Sequence, residues 1–155
     1  MDRDTDERVL LAAVRTAMGV SVRAADLVGT SPVQLRALTV LSERPGLSVG
    51  QLAEGMRVAV STASRLADRL AVAGLADRRP SAADGRSVTL RLTADGEQLL
   101  DRYDDLRLAD LTACLDRLPP DRRHRVLAGL RALTSPAEPP AGTGRVGARR
   151  REDQP

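Results

Sequence analysis

Two short runs in this 155-residue chain carry side chains suited to gripping a polyanion. One is Asp84-Gly85-Arg86-Ser87, a turn set between two short extended segments. The other is Ser61, Thr62, Ser64, Arg65 and Arg69, polar residues at spacings that share one side of a helix. The planar guanidinium of arginine can bind a phosphate, or the O6 and N7 atoms of guanine, through two parallel hydrogen bonds. Serine and threonine hydroxyls hydrogen-bond phosphates or base edges. A basic hairpin beside a polar, arginine-bearing helix is therefore a shape that grips nucleic acid. The bland alternatives are a solvated helix face and a surface ion pair that only stiffens a turn.

Residues 1–7 are polar and acid-rich and read as a frayed terminus. From Arg8 onward, Val9, Leu10, Ala13, Val14 and Ala17 recur with helical spacing toward Val28; Gly19 and Val20-Ser21-Val22 weaken the middle, a place for a kink. Ser31-Pro32-Val33-Gln34 reads as a capping box with proline at the first helical position, opening a helix through Leu35, Leu38 and Leu41 that Pro45 and Gly46 end. Ser48-Val49-Gly50-Gln51 is a second capping box, starting a short helix with Leu52, Ala53 and Met56. Only a few residues later, a helix over 60–73 has Ala63, Leu66, Ala67 and Leu70 on one stripe and Gly74 as its cap. The polar set lies opposite that stripe. Two short helices so tightly joined read as helix-turn-helix.

Residues 75–79 can extend, 80–85 are turn-rich, and Val88, Leu90 and Leu92 alternate with polar residues as a strand does. Asp84-Gly85-Arg86-Ser87 thus falls at the tip of a hairpin. Thr93 caps a long helix reaching about residue 118, Pro119-Pro120 breaks it, and a last amphipathic helix carries Val126, Leu127, Leu130 and Leu133. Residues 135–155 are rich in Pro, Gly and Arg and read as a disordered tail; its Arg149-Arg150-Arg151 cluster is followed at once by Glu152 and Asp153.

Composition narrows the function classes. The net charge is only +3, with a sequence pI near 10.2, and every basic residue except His124 is arginine, a bias that a GC-rich coding sequence would also produce. The charge is unevenly placed: between Arg57 and Arg91 seven arginines face three acids, a local +4 that exceeds the net charge of the chain. Phe and Trp are absent and Tyr103 is the only aromatic residue, which excludes base stacking on aromatic platforms. With one cysteine (Cys114), one histidine (His124), no leader-like start and no 18-residue apolar run, the expectation is a cytoplasmic protein with no metal, cofactor or membrane span. No paired carboxylates, phosphate loop or nucleophile constellation stands out, so an enzyme is not expected. Cys114 beside Leu111 and Leu115 reads as a small buried hydrophobe in preference to a redox switch. Tyr103 reads equally as a ligand hydrogen-bond donor and as a packing residue.

The order of elements resembles the winged helix-turn-helix regulators of the multiple-antibiotic-resistance regulator (MarR) family over residues 8–133. The likeness is strongest over 48–99. It runs through Leu47-Ser48-Val49-Gly50-Gln51-Leu52-Ala53, Ser64-Arg65-Leu66-Ala67-Asp68-Arg69-Leu70, Gly74-Leu75, Arg78, the Asp84–Ser87 tip, and Leu92-Thr93-Ala94-Asp95-Gly96. It implies a mainly α fold with a small β-hairpin wing. One domain would span 8–134: a DNA-binding lobe over about 31–98, with dimerisation helices over about 8–28 and 93–134. It further implies a homodimeric, sequence-specific regulator of transcription, most often a repressor, that binds double-stranded DNA at a pseudo-palindrome and in many members responds to a small-molecule effector. That effector pocket would be small and aliphatic here. The rival reading is a winged-helix module that binds protein instead.

Site residues follow from that likeness. Ser61, Thr62, Ser64, Arg65 and Arg69 would meet the major groove. Arg86 would probe the minor groove with Asp84 as its brace and Ser87 beside it. Arg78 would bind phosphate or brace Asp77 or Asp68. Where the family commonly has a capping Ser or Thr, this chain has Ala59 and then Val60, so the cap either moves to Ser61 or leaves a loose start.

Overall fold

A computed structural model describes residues 3–80 and 88–134. The chain divides into two compact units, Met1–Arg117 and Leu118–Pro155. The second contains α6 (Pro120–Thr134), in which no residue is buried.

The first unit begins with α1 (Arg3–Val28). Residues 3–7, expected to fray, are helical: Asp4 and Asp6 lie in the positively polarised first turn, and Arg3–Glu7 and Asp4–Arg8 pair one turn apart at 3.2 and 2.7 Å. The helix is assigned without a break through Gly19. α2 (Pro32–Glu43) is capped by Ser31, whose Oγ accepts from the Gln34 amide, but only half of the expected box forms, because the Gln34 carboxamide oxygen accepts from the Ser31 hydroxyl instead of reaching back to the cap amide. The box at Ser48 and Gln51 is complete and starts α3 (Val49–Met56).

α3 ends in Arg57, which adopts a left-handed conformation (φ 57°) so that its amide and that of Val58 return to the carbonyls of the last turn. It is the one non-glycine residue with positive φ among those described. Three residues after α3, α4 (Val60–Val72) begins. The tight connection is what orients α4 across α3.

Strands β1 (Ala76–Pro80) and β2 (Val88–Leu92) are antiparallel, with Ala76 opposite Leu92, Arg78 opposite Leu90 and Pro80 opposite Val88. Pro80, expected in the turn, closes β1, where the edge position spares its missing N–H. The other edge of β2 is not free: Leu90 donates to the Leu47 carbonyl at 2.7 Å and accepts from the Gly46 amide at 3.1 Å. This bridge was not anticipated, because a single paired residue leaves no period to read.

α5 (Ala94–Asp116) is capped by Thr93, whose Oγ1 accepts from the Gly96 amide and donates to the Gly74 carbonyl at 2.6 Å. Gly96 sits against the Leu75 carbonyl oxygen so closely that no side chain fits between them. The core lies where α2, α3, α4, β2 and the start of α5 meet. Leu35, Leu38, Leu41, Leu52, Leu70 and Leu90 are fully buried in it, each stabilising the fold by about 2 kcal/mol on transfer grounds. Among the described residues no polar or charged residue is buried. Tyr103 is in this core, 5.0 Å beneath the Arg107 guanidinium, so within the chain it acts as a packing residue. Among the described residues no helix is long and apolar enough to cross a membrane.

Candidate nucleic-acid interface

The interface is built on α4. Its buried stripe, Ala63, Leu66, Ala67 and Leu70, repeats at three- and four-residue intervals and is fully packed. The two alanines let α4 approach α3 closely. That stripe fixes the helix's rotation, so Ser61, Thr62, Arg65 and Arg69 all reach solvent on the opposite side and Ser64 lies half-buried at the margin.

α4 starts at Val60. Ala59 is the N-cap residue and its side chain makes no capping bond, while the Thr62 and Ala63 amides close onto the Ala59 carbonyl at 2.9 and 3.1 Å. The cap does not shift to Ser61. The helix holds its start through these backbone bonds and the packing of its first buried turn, which answers the open question in favour of an uncapped but defined end.

The basic residues fall into two groups. Arg78, on β1, meets Asp68 on α4 at 2.5 Å, and Arg79 meets Asp77 at 3.1 Å. Arg78 thus pairs with Asp68, one of the partners open to it, and the pair ties α4 to the hairpin. Arg65 and Arg69 have no acid partner among the described residues. They lie one turn apart and, with Thr62, Leu66 and Val33 at the start of α2, line a shallow groove of about 140 Å³. Val33 was missed in the sequence because it sits outside the helix-turn-helix pattern. Asp84, Arg86 and Ser87 lie outside the described residues; the strands that flank them end at Pro80 and Val88.

Two further cavities border α5. One of about 540 Å³ opens where Val28, Leu75 and the first turns of α5 meet, bordered by Leu99, Asp95, Asp101 and Asp105. Its lining mixes the aliphatic Val28, Leu75 and Leu99 with acidic side chains of α5. The second, about 320 Å³ between α1 and α5, includes Cys114, Arg23 and Arg117. Cys114 is exposed, contrary to the expectation of a buried hydrophobe, while Leu111 and Leu115 near it are half-buried. Among the described residues no group of three or more His, Cys, Asp or Glu could hold a metal ion.

Comparison with known proteins places this arrangement. Residues 28–87 match the model of the MarR family. A curated relative, the HTH-type transcriptional regulator YfiV of Bacillus subtilis, is 30% identical over 105 residues, and the match spans 68% of this chain and 66% of that protein. Among solved structures, RV1404 from Mycobacterium tuberculosis superposes with a TM-score of 0.80 at 26% identity, covering 89% of this chain and 97% of that one. A MarR family protein from Bacillus stearothermophilus gives 0.73 at 26% identity, covering 86% and 95%.

Proposed function

The chain belongs to the MarR family of winged helix-turn-helix transcription regulators, and from that premise we propose that it binds double-stranded DNA as a homodimer and represses transcription from a pseudo-palindromic operator. One observation carries the reading: Arg65 and Arg69 stand exposed one turn apart on the solvent side of α4, with no acid partner among the described residues. An unpaired guanidinium on the leading face of a helix has no structural task. In a major groove it has one, binding guanine O6 and N7 or a flanking phosphate. Ser61, Thr62 and Ser64 supply hydroxyls for neighbouring phosphates and bases, and Arg86 of the wing tip extends the contact to the minor groove with Asp84 as its brace and Ser87 beside it.

The dimer is supported by α1. Leu10, Val14 and Met18 recur along one side and are 64%, 54% and 61% exposed, a contiguous apolar stripe that an isolated chain would not leave in water. Val126, Leu130 and Leu133 of α6 are likewise exposed. A second copy covering the α1 stripe would bring two α4 helices into one assembly, and a pseudo-palindromic operator calls for them to stand about one DNA turn, roughly 34 Å, apart. A small-molecule effector in the 540 Å³ cavity would act by biasing that spacing.

The test is selection of bound duplexes from a random pool, followed by titration across ionic strength. A palindrome with steeply salt-dependent affinity is expected, and Arg65→Ala and Arg86→Ala should each weaken binding, Arg65→Ala also relaxing base preference. Salt-independent or absent DNA binding would instead favour a winged-helix module for protein partners.

A further inference from the structure

We propose that Val60 reads the C5-methyl group of a thymine in each half-site. The inference rests on the DNA-binding reading above and names a specificity residue within it.

Val60 is the first residue of α4 and is 58% exposed. It shares the helical spacing of the buried stripe, 60-63-67-70, yet stays exposed where Ala63, Ala67 and Leu70 are buried. A lone exposed valine such as Val72, at the far end of the same helix, needs no account. Val60 differs in its position. Bonds from Cα to Cβ tilt toward a helix's N-terminus, so the Val60 side chain projects ahead of the first turn, at the end of α4 that enters a groove.

The surrounding residues are chosen against the usual preference. Helix starts favour Ser, Thr, Asp or Asn as caps, and α4 instead opens with Ala59 and Val60, both exposed, with no side-chain capping bond. The leading edge is therefore an apolar tip bordered by the hydroxyls of Ser61 and Ser64. Such a tip gains nothing from phosphate or from the hydrogen-bonding edges of bases. In the major groove the apolar feature available to it is the thymine methyl. A β-branched side chain suits this contact because its χ1 is already restricted and little rotamer freedom is lost on binding.

The experiment uses the full-length protein and the duplex recovered by random-pool selection, with uracil replacing thymine at one symmetric pair of positions at a time. Removing one methyl contact of roughly methylene size should weaken binding about fourfold per half-site, and about 15-fold when both half-sites are changed. The loss should fall at a single position per half-site, and 5-methylcytosine at that position should recover more affinity than cytosine. In Val60→Ser the uracil effect should vanish while the salt dependence is retained. Val60→Thr, which keeps one methyl, should preserve part of it. A flat uracil series on a tightly and salt-dependently bound palindrome overturns the inference and leaves DNA binding intact. An unchanged uracil effect in Val60→Ser assigns the methyl to another residue and likewise overturns it. Absence of any DNA binding removes the functional reading and this inference together.

Discussion

Replacing Gly96 by alanine should cost far more than its size suggests. A Cβ built there would lie 2.1 Å from the Leu75 carbonyl oxygen and 3.0 Å from its carbonyl carbon, whereas ordinary contact begins at 3.4 Å. Roughly 1.3 Å of extra separation must be found between two backbones. Neither is free to move: the same oxygen accepts the Thr93 amide at 3.2 Å, and Thr93 in turn caps α5 and donates to Gly74. Overpacking of this kind costs about 1–3 kcal/mol and loss of the Thr93 bond a further 0.5–1.5 or so, offset by up to about 1 kcal/mol of helix propensity gained over glycine. The expected net destabilisation is about 2 kcal/mol, or about 4–8 °C in Tm for a chain of this length. Urea unfolding followed by circular dichroism at fixed protein concentration measures it, the concentration being held because dimerisation contributes to apparent stability. Gly50→Ala is the control, since its added methyl would meet only Ser48 Oγ at 3.9 Å; it should be neutral or stabilising. A Gly96→Ala protein as stable as wild type would refute the claim that this close approach seats α5 on the DNA-binding lobe.

Other expectations follow from the same geometry. Asp68→Ala frees Arg78 for phosphate, so the slope of log affinity against log salt should steepen by up to about one unit per protomer, while a double-mutant cycle in denaturant should assign the exposed Asp68–Arg78 pair no more than about 1 kcal/mol. Arg65→Ala should cost about 1–3 kcal/mol of operator binding and Arg78→Ala less, measured by fluorescence anisotropy on one duplex. Ala59→Ser should supply the missing cap and raise unfolding stability by about 1 kcal/mol. Val14→Asp, placing a charge on the α1 stripe, should yield monomers by sedimentation and abolish operator binding together with them.

Much of the fold was legible because its elements are locally overdetermined. Ser48 and Gln51, Thr93, Gly74 and the 63-66-67-70 stripe each announce an element on their own, and the structure places α3, α4 and α5 where they point. Residues 3–7 lack the apolar residues that mark a helix by period, and their helical form is accompanied by the two i,i+4 ion pairs of α1. The Gln34 side chain shows the limit of a motif: the residue types fit a capping box, but the choice of hydrogen-bond partner is made by local geometry. The exposed, polar side of α4 could be read from periodicity alone. What could not be read was which charges neutralise one another, because Asp68 and Arg78 are ten residues apart and meet only after the hairpin folds back. The acidic lining of the larger cavity and the exposure of Cys114 likewise depend on how α5 is rotated against α1, which sequence spacing does not specify.

The bridge from Leu90 to Leu47 meters the hairpin. With β2 held on one edge by β1 and on the other by the loop ahead of α3, a one-residue slip would break both sets of bonds and turn Leu90 out of the core. The register at the base is thus independent of what joins Pro80 to Val88. Since loop closure becomes only slowly more costly with length, residues can be added to or removed from 81–87 with little penalty to the fold. The segment is therefore an exchangeable part: its length and charge can be rewritten while α4 and its seat stay as they are.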